Sequence, residues 1–355
     1  MSIFRSRSRE AVLALLCAAV IGAWAVAVVT AANTETPPPM PGVAPSQLVD
    51  DLARATAAGS WDEAASVAAD LSVWGDDALP AISKGLRRGD EELSRMLLRS
   101  LWGIKSDGAT SLLVSVVTPA SGEVLVGEAL GRLANRGVSR PLTPLEFATL
   151  TRLILSDDLY SPTMAGAAAR VLGNCREVPA ERRAAPILAR FIVEIPRVQP
   201  GDEVPRERYS YVSPRVFRLN KFLLAFSYIG TEAISLVSEA RQGRAADPEM
   251  HEWLTLALGM AGDPEVAGEL EQMVREETDT STRIEAIRAY SRSAGEAAIP
   301  LLVSLLDDMT VTGPSGCART GTEMDKEYPI RMVASDELSG LGRADLWKGR
   351  RRPSN

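Results

Sequence analysis

The feature that most constrains the fold of this chain is a motif that recurs along most of its length. In each copy, an apolar segment typical of a helix ends in a turn of small residues, as in Leu258-Gly-Met-Ala-Gly262. The copies start at Leu71, Leu101, Leu130, Leu172, Phe226, Leu258, Tyr290 and Leu338. Successive starts are 30, 29, 42, 54, 32, 32 and 48 residues apart. A base period of about 30 residues with three longer intervals indicates an array of repeats that carries insertions.

Each repeat is predicted to contain two helices. After the turn, apolar residues recur at helical spacing, as at Ile299, Leu302, Val303 and Leu306. Helix starts are marked by a capping residue followed by proline. These pairs are Thr143-Pro144, Ser161-Pro162, Ser213-Pro214, Asp247-Pro248 and Asp263-Pro264. No alternating run with hairpin chemistry calls for strands, so we predict an all-α protein, an α-solenoid of about eight helix-turn-helix repeats.

The repeats resemble those of a known family. Three segments carry the resemblance, Leu258–Val266, Thr282–Tyr290 and Ala298–Leu302. They are similar to the short bacterial HEAT repeats, including those of the phycobilisome-lyase type, and the likeness extends over about residues 48–345. The resemblance implies a HEAT-like α-solenoid with a concave binding face, and HEAT proteins mostly serve as scaffolds or adaptors. It implies no catalytic residue, because the repeat motif is a packing motif.

The amino terminus carries an export signal. Residues 1–10 form a basic flank, and residues 11–32 contain no charged residue. A helix of that length would span about 33 Å, enough to cross a hydrocarbon core of about 30 Å. The length favours an uncleaved membrane anchor, but small residues near Ala31 leave a cleaved signal peptide open. Because the basic residues precede the span, we expect the body on the periplasmic side of the cytoplasmic membrane, or secreted after cleavage.

Two segments of distinct composition flank the predicted body at residues 48–345. Residues 33–47 are rich in proline, which predicts an extended linker. Residues 346–355 form a basic tail of charge +4, and residues 1–10 carry +2. The whole chain has a net charge of −7, which leaves −13 for residues 11–345. A body this acidic argues against nucleic-acid binding, because phosphate contacts require Lys and Arg.

Residues suited to catalysis or metal binding are scarce. His251 is the single histidine, and the three cysteines are scattered, so we predict no catalytic residue, no metal site and no cofactor. A dyad of Cys317 and His251 is the sharpest enzyme hypothesis, but nothing in the spacing brings the two together. Trp102 and Trp253 each lie on the first helix of a unit and are expected in the core.

These features favour an extracytoplasmic scaffold or adaptor that binds another protein. Two alternatives stay open, an enzyme that uses carboxylates or Cys317 on the solenoid, and a structural envelope component without a discrete ligand. The partner is expected on the concave face or on a rim formed by insertions at residues 196–213 and 310–328. Because Tyr and Arg are enriched at binding hot spots, the candidate residues are Arg206, Arg208, Tyr209, Tyr211 and Arg215.

Overall fold

The described part of the chain is all-helical. The computed structural model describes residues 43–118, 121–138, 140–156, 162–197, 213–310 and 328–348, and no strand occurs within them. The first eight helices are α1 Pro45–Ala57, α2 Trp61–Val73, α3 Leu79–Leu86, α4 Glu91–Ser100, α5 Asp107–Val116, α6 Glu123–Arg136, α7 Pro144–Leu155 and α8 Pro162–Gly173. The others are α9 Ala180–Glu194, α10 Pro214–Ile229, α11 Ile234–Gln242, α12 Pro248–Ala261, α13 Ala267–Glu276, α14 Thr280–Ala294, α15 Ile299–Leu305, α16 Pro329–Gly340 and α17 Asp345–Lys348.

Most of the predicted helix starts are confirmed by their capping bonds. The Thr143 hydroxyl accepts a hydrogen bond from the Glu146 N–H, and the Glu146 carboxylate accepts one from the Thr143 N–H, which completes a capping box. Ser213, Asp247 and Asp263 likewise accept backbone N–H groups two or three residues ahead. The predicted cap before α8 lies outside the described residues. Local sequence therefore sets where these helices begin.

The helical body extends beyond the predicted boundaries at both ends. The first helix begins at Pro45, inside the segment predicted as linker, and the last ends at Lys348, inside the predicted tail. Proline is compatible with a helix start because its missing N–H would have no helical partner there. Residues 33–42 of the linker and 349–355 of the tail lie outside the described residues.

Three of the turns between helices share one conformation. The 3₁₀ turns Gly75–Ala78, Gly230–Ala233 and Gly295–Ala298 each begin with a glycine at positive φ, at 57°, 75° and 55°. Each turn ends with a fully buried alanine. Glycine adopts this backbone region without the steric penalty that a side chain brings. The shared pattern indicates that these copies of the repeat turn are built in the same way.

The helices pack in a regular order along the chain. Each odd-numbered helix from α1 to α15 contacts the even-numbered helix that follows it, and each even-numbered helix from α2 to α14 contacts the next even-numbered one. The buried apolar residues form a continuous cluster among them. The repeat turn joins an even-numbered helix to the next odd-numbered one, so the second helix of a sequence unit packs against the first helix of the following unit. Neighbouring units therefore share one core.

Aromatic residues fill the middle of this core. Phe191 of α9 lies 6.0 Å from Phe222 and 5.7 Å from Phe226 of α10, measured between ring centroids, and all three rings are fully buried. Trp253 of α12 is also buried, as expected from the sequence. Aromatic pairs at these distances stabilise a core beyond the area they bury.

One described helical stretch, Arg215–Gln242, is long and apolar enough to cross a membrane by length and composition alone. It runs from α10 through the turn Gly230–Ala233 into α11, and it contains core residues such as Phe222 and Phe226. The predicted anchor at residues 11–32 lies outside the described residues and stays a prediction.

Candidate functional site

A groove on the even-numbered helices of the amino-terminal half is the candidate site. It has a volume of about 400 Å³. Its walls include Trp61 from α2, Arg95, Met96 and Arg99 from α4, and Glu128 and Arg132 from α6. These residues combine an exposed aromatic ring, an aliphatic floor and several guanidinium groups. This is the chemistry of protein-binding hot spots.

The amphipathic pattern of α4 places three charged residues in the groove. Asp90 caps this helix by accepting the Leu93 N–H at 2.7 Å. Leu93 and Leu97 are buried, while Glu92, Arg95 and Arg99 are exposed. A spacing of three and four residues puts the charged side chains on one face of a helix. From Glu92 to Arg99 this charged stripe is about 10 Å long.

Trp61 and Trp102 are the two large exposed aromatic residues of this region. The exposed fraction is 51% for Trp61 and 57% for Trp102. The expectation that Trp102 lies in the core was wrong, because the chain turns directly after α4 ends at Ser100. Leu101 is then fully buried, and the next residue, Trp102, is directed to solvent. Aromatic residues are enriched at protein interfaces relative to the rest of the surface.

Arg132 connects Trp102 to the groove. Its guanidinium carbon lies 5.5 Å from the centroid of the Trp102 ring, a cation–π distance. The same side chain forms an ion pair with Glu128 one turn earlier on α6, and it is only 9% exposed. Arg132 is therefore held by its ion pair with Glu128, and its guanidinium lies against one face of the indole ring of Trp102.

The charges of the groove are unevenly paired. Arg95 lies 3.3 Å from Glu92, and Arg132 pairs with Glu128. Arg99 is exposed and has no ion-pair partner in the part of the chain that the structure describes. The groove thus has one guanidinium in excess, although the body as a whole is acidic. A ligand with a carboxylate or another anionic group would complement it.

Of the binding residues predicted from the sequence, Arg215 alone lies within the described ranges. Arg206, Arg208, Tyr209 and Tyr211 lie outside the described residues. Arg215, in the first turn of α10, pairs with Glu249 of α12 at 2.7 Å and is not part of the groove wall. This ion pair links two neighbouring even-numbered helices, which gives Arg215 a structural contact.

Side chains suited to covalent or metal chemistry are not brought together by the described residues. Burial raises the pKa of the Cys175 thiol to about 12, and its Sγ lies 3.0 Å from the Val171 carbonyl oxygen. A thiol with this pKa is a poor nucleophile at neutral pH. His251 lies half-buried in the first turn of α12, and Cys317 is outside the described ranges. Within those ranges, no group of three or more His, Cys, Asp and Glu residues could hold a metal ion.

Three carboxyl groups of the carboxy-terminal half are in a poorly solvated setting. Burial raises the pKa of Glu252 on α12, Glu285 on α14 and Glu337 on α16 above the ordinary value. Glu285 is only 2% exposed, and its ion pair with Arg288 at 2.6 Å acts in the opposite direction. The negative charge of Glu337 raises the pKa of Glu285 further. Desolvation therefore dominates at this carboxyl group.

Glu285→Gln is expected to flatten the dependence of stability on pH. In the parent chain the unfolded state releases the Glu285 proton near the ordinary pKa of 4.5, whereas the folded state holds it to a higher pH. Between these two values the folded state binds more protons, so the free energy of unfolding falls as pH rises. Glutamine removes this part of the slope. Urea unfolding between pH 4 and pH 8, followed by circular dichroism, measures how the free energy of unfolding of each variant changes with pH.

The exposed Glu265→Gln variant is the matched control, because it also removes one negative charge. The explanation is wrong if the difference in unfolding free energy between Glu285→Gln and the parent chain is the same at every pH, or if both variants change the slope equally.

No known family model matches this chain, and no curated protein matches it in sequence. Sequence reasoning missed Trp61, Arg95, Arg99 and Arg132, and it placed Trp102 in the core. The sequence signal that could have identified Arg95 and Arg99 is the pattern of charged residues three and four positions apart along α4, followed by a tryptophan.

Proposed function

We propose that this protein is a scaffold that binds another protein through its even-numbered helices. The proposed architecture is an α-solenoid of HEAT-like repeats, tethered by residues 11–32 to the outer face of the cytoplasmic membrane. The observation that carries the proposal is the groove that holds the exposed Trp61 and Arg99, which has no ion-pair partner among the described residues. The exposed Trp102 lies against Arg132 of the same groove wall.

The order of helix contacts supports the solenoid. Each helix contacts its neighbours along the chain, which is the pattern of a repeat array. In addition, α10 and α14 contact each other although α12 lies between them in the row of even-numbered helices. The Ser213 N–H, at the cap of α10, donates to the Ser281 hydroxyl of α14 at 3.0 Å. Helices two places apart meet on the inner side of a curve, so this contact favours the even-numbered row as the concave face.

The chemistry of the groove supports protein binding. Trp and Arg are enriched among residues that carry most of the energy of protein interfaces. The side chains of Trp61 and Trp102 offer a large apolar surface with few rotatable bonds, and Arg99 provides a permanent positive charge. The insertion at residues 196–213 remains a second candidate surface. It is the less supported one, because Arg215 is already engaged with Glu249.

Trp61→Ala is expected to reduce partner capture at the groove at least ten-fold. The experiment places a photoreactive amino acid at position 92, a wall residue of the groove, in the full chain in intact cells and identifies the crosslinked protein by mass spectrometry. Truncation of a central aromatic residue at an interface typically costs about 2 kcal/mol or more, which is about 30-fold in affinity. The yield of the crosslinked product should fall accordingly.

Leu145→Ala is the matched control, since Leu145 is an apolar residue of α7 that is 77% exposed. It should leave the crosslink at position 92 unchanged. Both substitutions should leave the thermal midpoint nearly unchanged, because both side chains are exposed. If Trp61→Ala and Leu145→Ala give the same yield as the parent chain, the groove is not the binding site.

A further inference from the structure

We propose that the groove binds an extended acidic peptide segment, with two carboxylates two residues apart facing Arg95 and Arg99 and an apolar side chain on Trp102. This inference rests on the proposed function and names the class of partner. It depends on the pairing of the charges, the spacing of the two arginines and the length of the charged stripe.

The pairing of charges selects an acidic ligand. Arg99 has no ion-pair partner in the described ranges, and it lies on the same face of α4 as Arg95. The pair of Arg95 with Glu92 joins two half-exposed side chains at 3.3 Å. An exposed ion pair of this kind is worth no more than about 1 kcal/mol, so Arg95 can exchange Glu92 for a carboxylate of the ligand. Two guanidinium groups are then accessible to the ligand.

The spacing of the arginines matches an extended chain. Arg95 and Arg99 are four residues apart on α4, which is about 6 Å along the helix axis. In an extended peptide, side chains two residues apart lie on the same face and about 6.6 Å from each other. A ligand of the pattern acidic–any–acidic can therefore place one carboxylate on each guanidinium.

The length of the charged stripe also suits an extended ligand. An extended segment of three to four residues covers the stripe of about 10 Å at about 3.3 Å per residue.

The exposed tryptophan favours an aromatic residue after the acidic pair. Trp102 comes three residues after Arg99 and is supported by Arg132 at 5.5 Å, so its outer face is a fixed apolar platform. A phenylalanine two residues beyond the second carboxylate lies on the same face of an extended ligand. It can stack on this ring, a contact that aromatic pairs favour.

A labelled peptide tests the inference directly. The probe is fluorescein-Gly-Ser-Glu-Ser-Glu-Ser-Phe-Ser-Gly, and its binding to the full chain in mild detergent is followed by fluorescence anisotropy. We expect saturable binding that weakens at least ten-fold in the Arg99→Gln variant and at least ten-fold when both glutamates of the peptide are glutamine. Binding should also weaken as salt is raised, since the contacts are between charged groups at the surface.

Arg152→Gln is the matched control, because Arg152 is another exposed arginine in the last turn of a helix, on the odd-numbered α7. It should bind the probe as the parent chain does. Equal binding by Arg99→Gln, or by the glutamine peptide, overturns the inference, as does an absence of binding. Arg99-dependent binding to vesicles of anionic lipid without binding of the peptide also overturns it, and assigns the groove to a membrane surface.

The outcomes separate this inference from the proposed function. If the peptide fails to bind while the crosslink at position 92 still depends on Trp61, the scaffold stands and the class of ligand is wrong. If that crosslink is independent of Trp61, the binding surface itself is wrong.

Discussion

The Phe226→Ala variant is expected to unfold with a free energy about 4 kcal/mol lower than that of the parent chain. Phe226 is fully buried on α10, and its ring meets Phe191 of α9 edge to face, with 5.7 Å between the centroids. Removing the ring leaves a cavity between two helices that are held by their other contacts, so the space cannot close completely. Urea unfolding followed by circular dichroism measures the loss.

Tyr228→Ala is the control within the same helix. Tyr228 lies two residues further along α10 and is exposed, so the change in unfolding free energy should stay within about 0.5 kcal/mol. Comparable losses for Phe226→Ala and Tyr228→Ala would show that α10 does not pack on α9 through the face that carries Phe226.

Gly173→Val is expected to lower the free energy of unfolding by about 3 kcal/mol, because it overpacks the contact between α8 and α10. A Cβ atom at Gly173 would lie 2.7 Å from the carbonyl oxygen of Ala225 and 3.1 Å from its Cα. These are backbone atoms, which cannot rotate away as a flexible side chain can. The two helices must separate, and the buried residues around them lose contacts.

Gly127→Ala is the control, and its expected effect has the opposite sign. Gly127 lies inside α6, and a Cβ atom there would meet no atom within 4 Å. Alanine should therefore raise the free energy of unfolding by about 1 kcal/mol through helix propensity alone. A loss in both variants would contradict the open space around Gly127, and neutral behaviour of Gly173→Val would contradict the close approach of α8 and α10.

Helix content and several helix starts could be predicted because their causes are local. The caps at Thr143, Ser213 and Asp247 need only the residue, the proline after it and the N–H groups of the next turn. The apolar spacing from Ile299 to Leu306 was also predicted, and Leu302 and Leu306 are buried. Neither signal depends on a distant part of the chain.

The candidate site could not be predicted in the same way. Trp102 follows Leu101 in an apolar run, and periodicity alone does not show which of the two is buried. The answer depends on the end of α4 at Ser100 and on Arg132, which comes from the next even-numbered helix. Such a contact forms only after α4 and α6 pack against each other.

The sequence by itself determined that the described chain is helical and where many of its helices begin, because hydrogen bonds within a few residues decide both. The spacing of the turns was also visible in the sequence, because glycine is favoured where the backbone adopts positive φ, as at Gly75 and Gly295. Only the tertiary structure brought Trp61, Arg99 and Arg132 to one groove and placed Trp102 against Arg132. These side chains come from positions that only the stacking of successive helices brings within reach of one another.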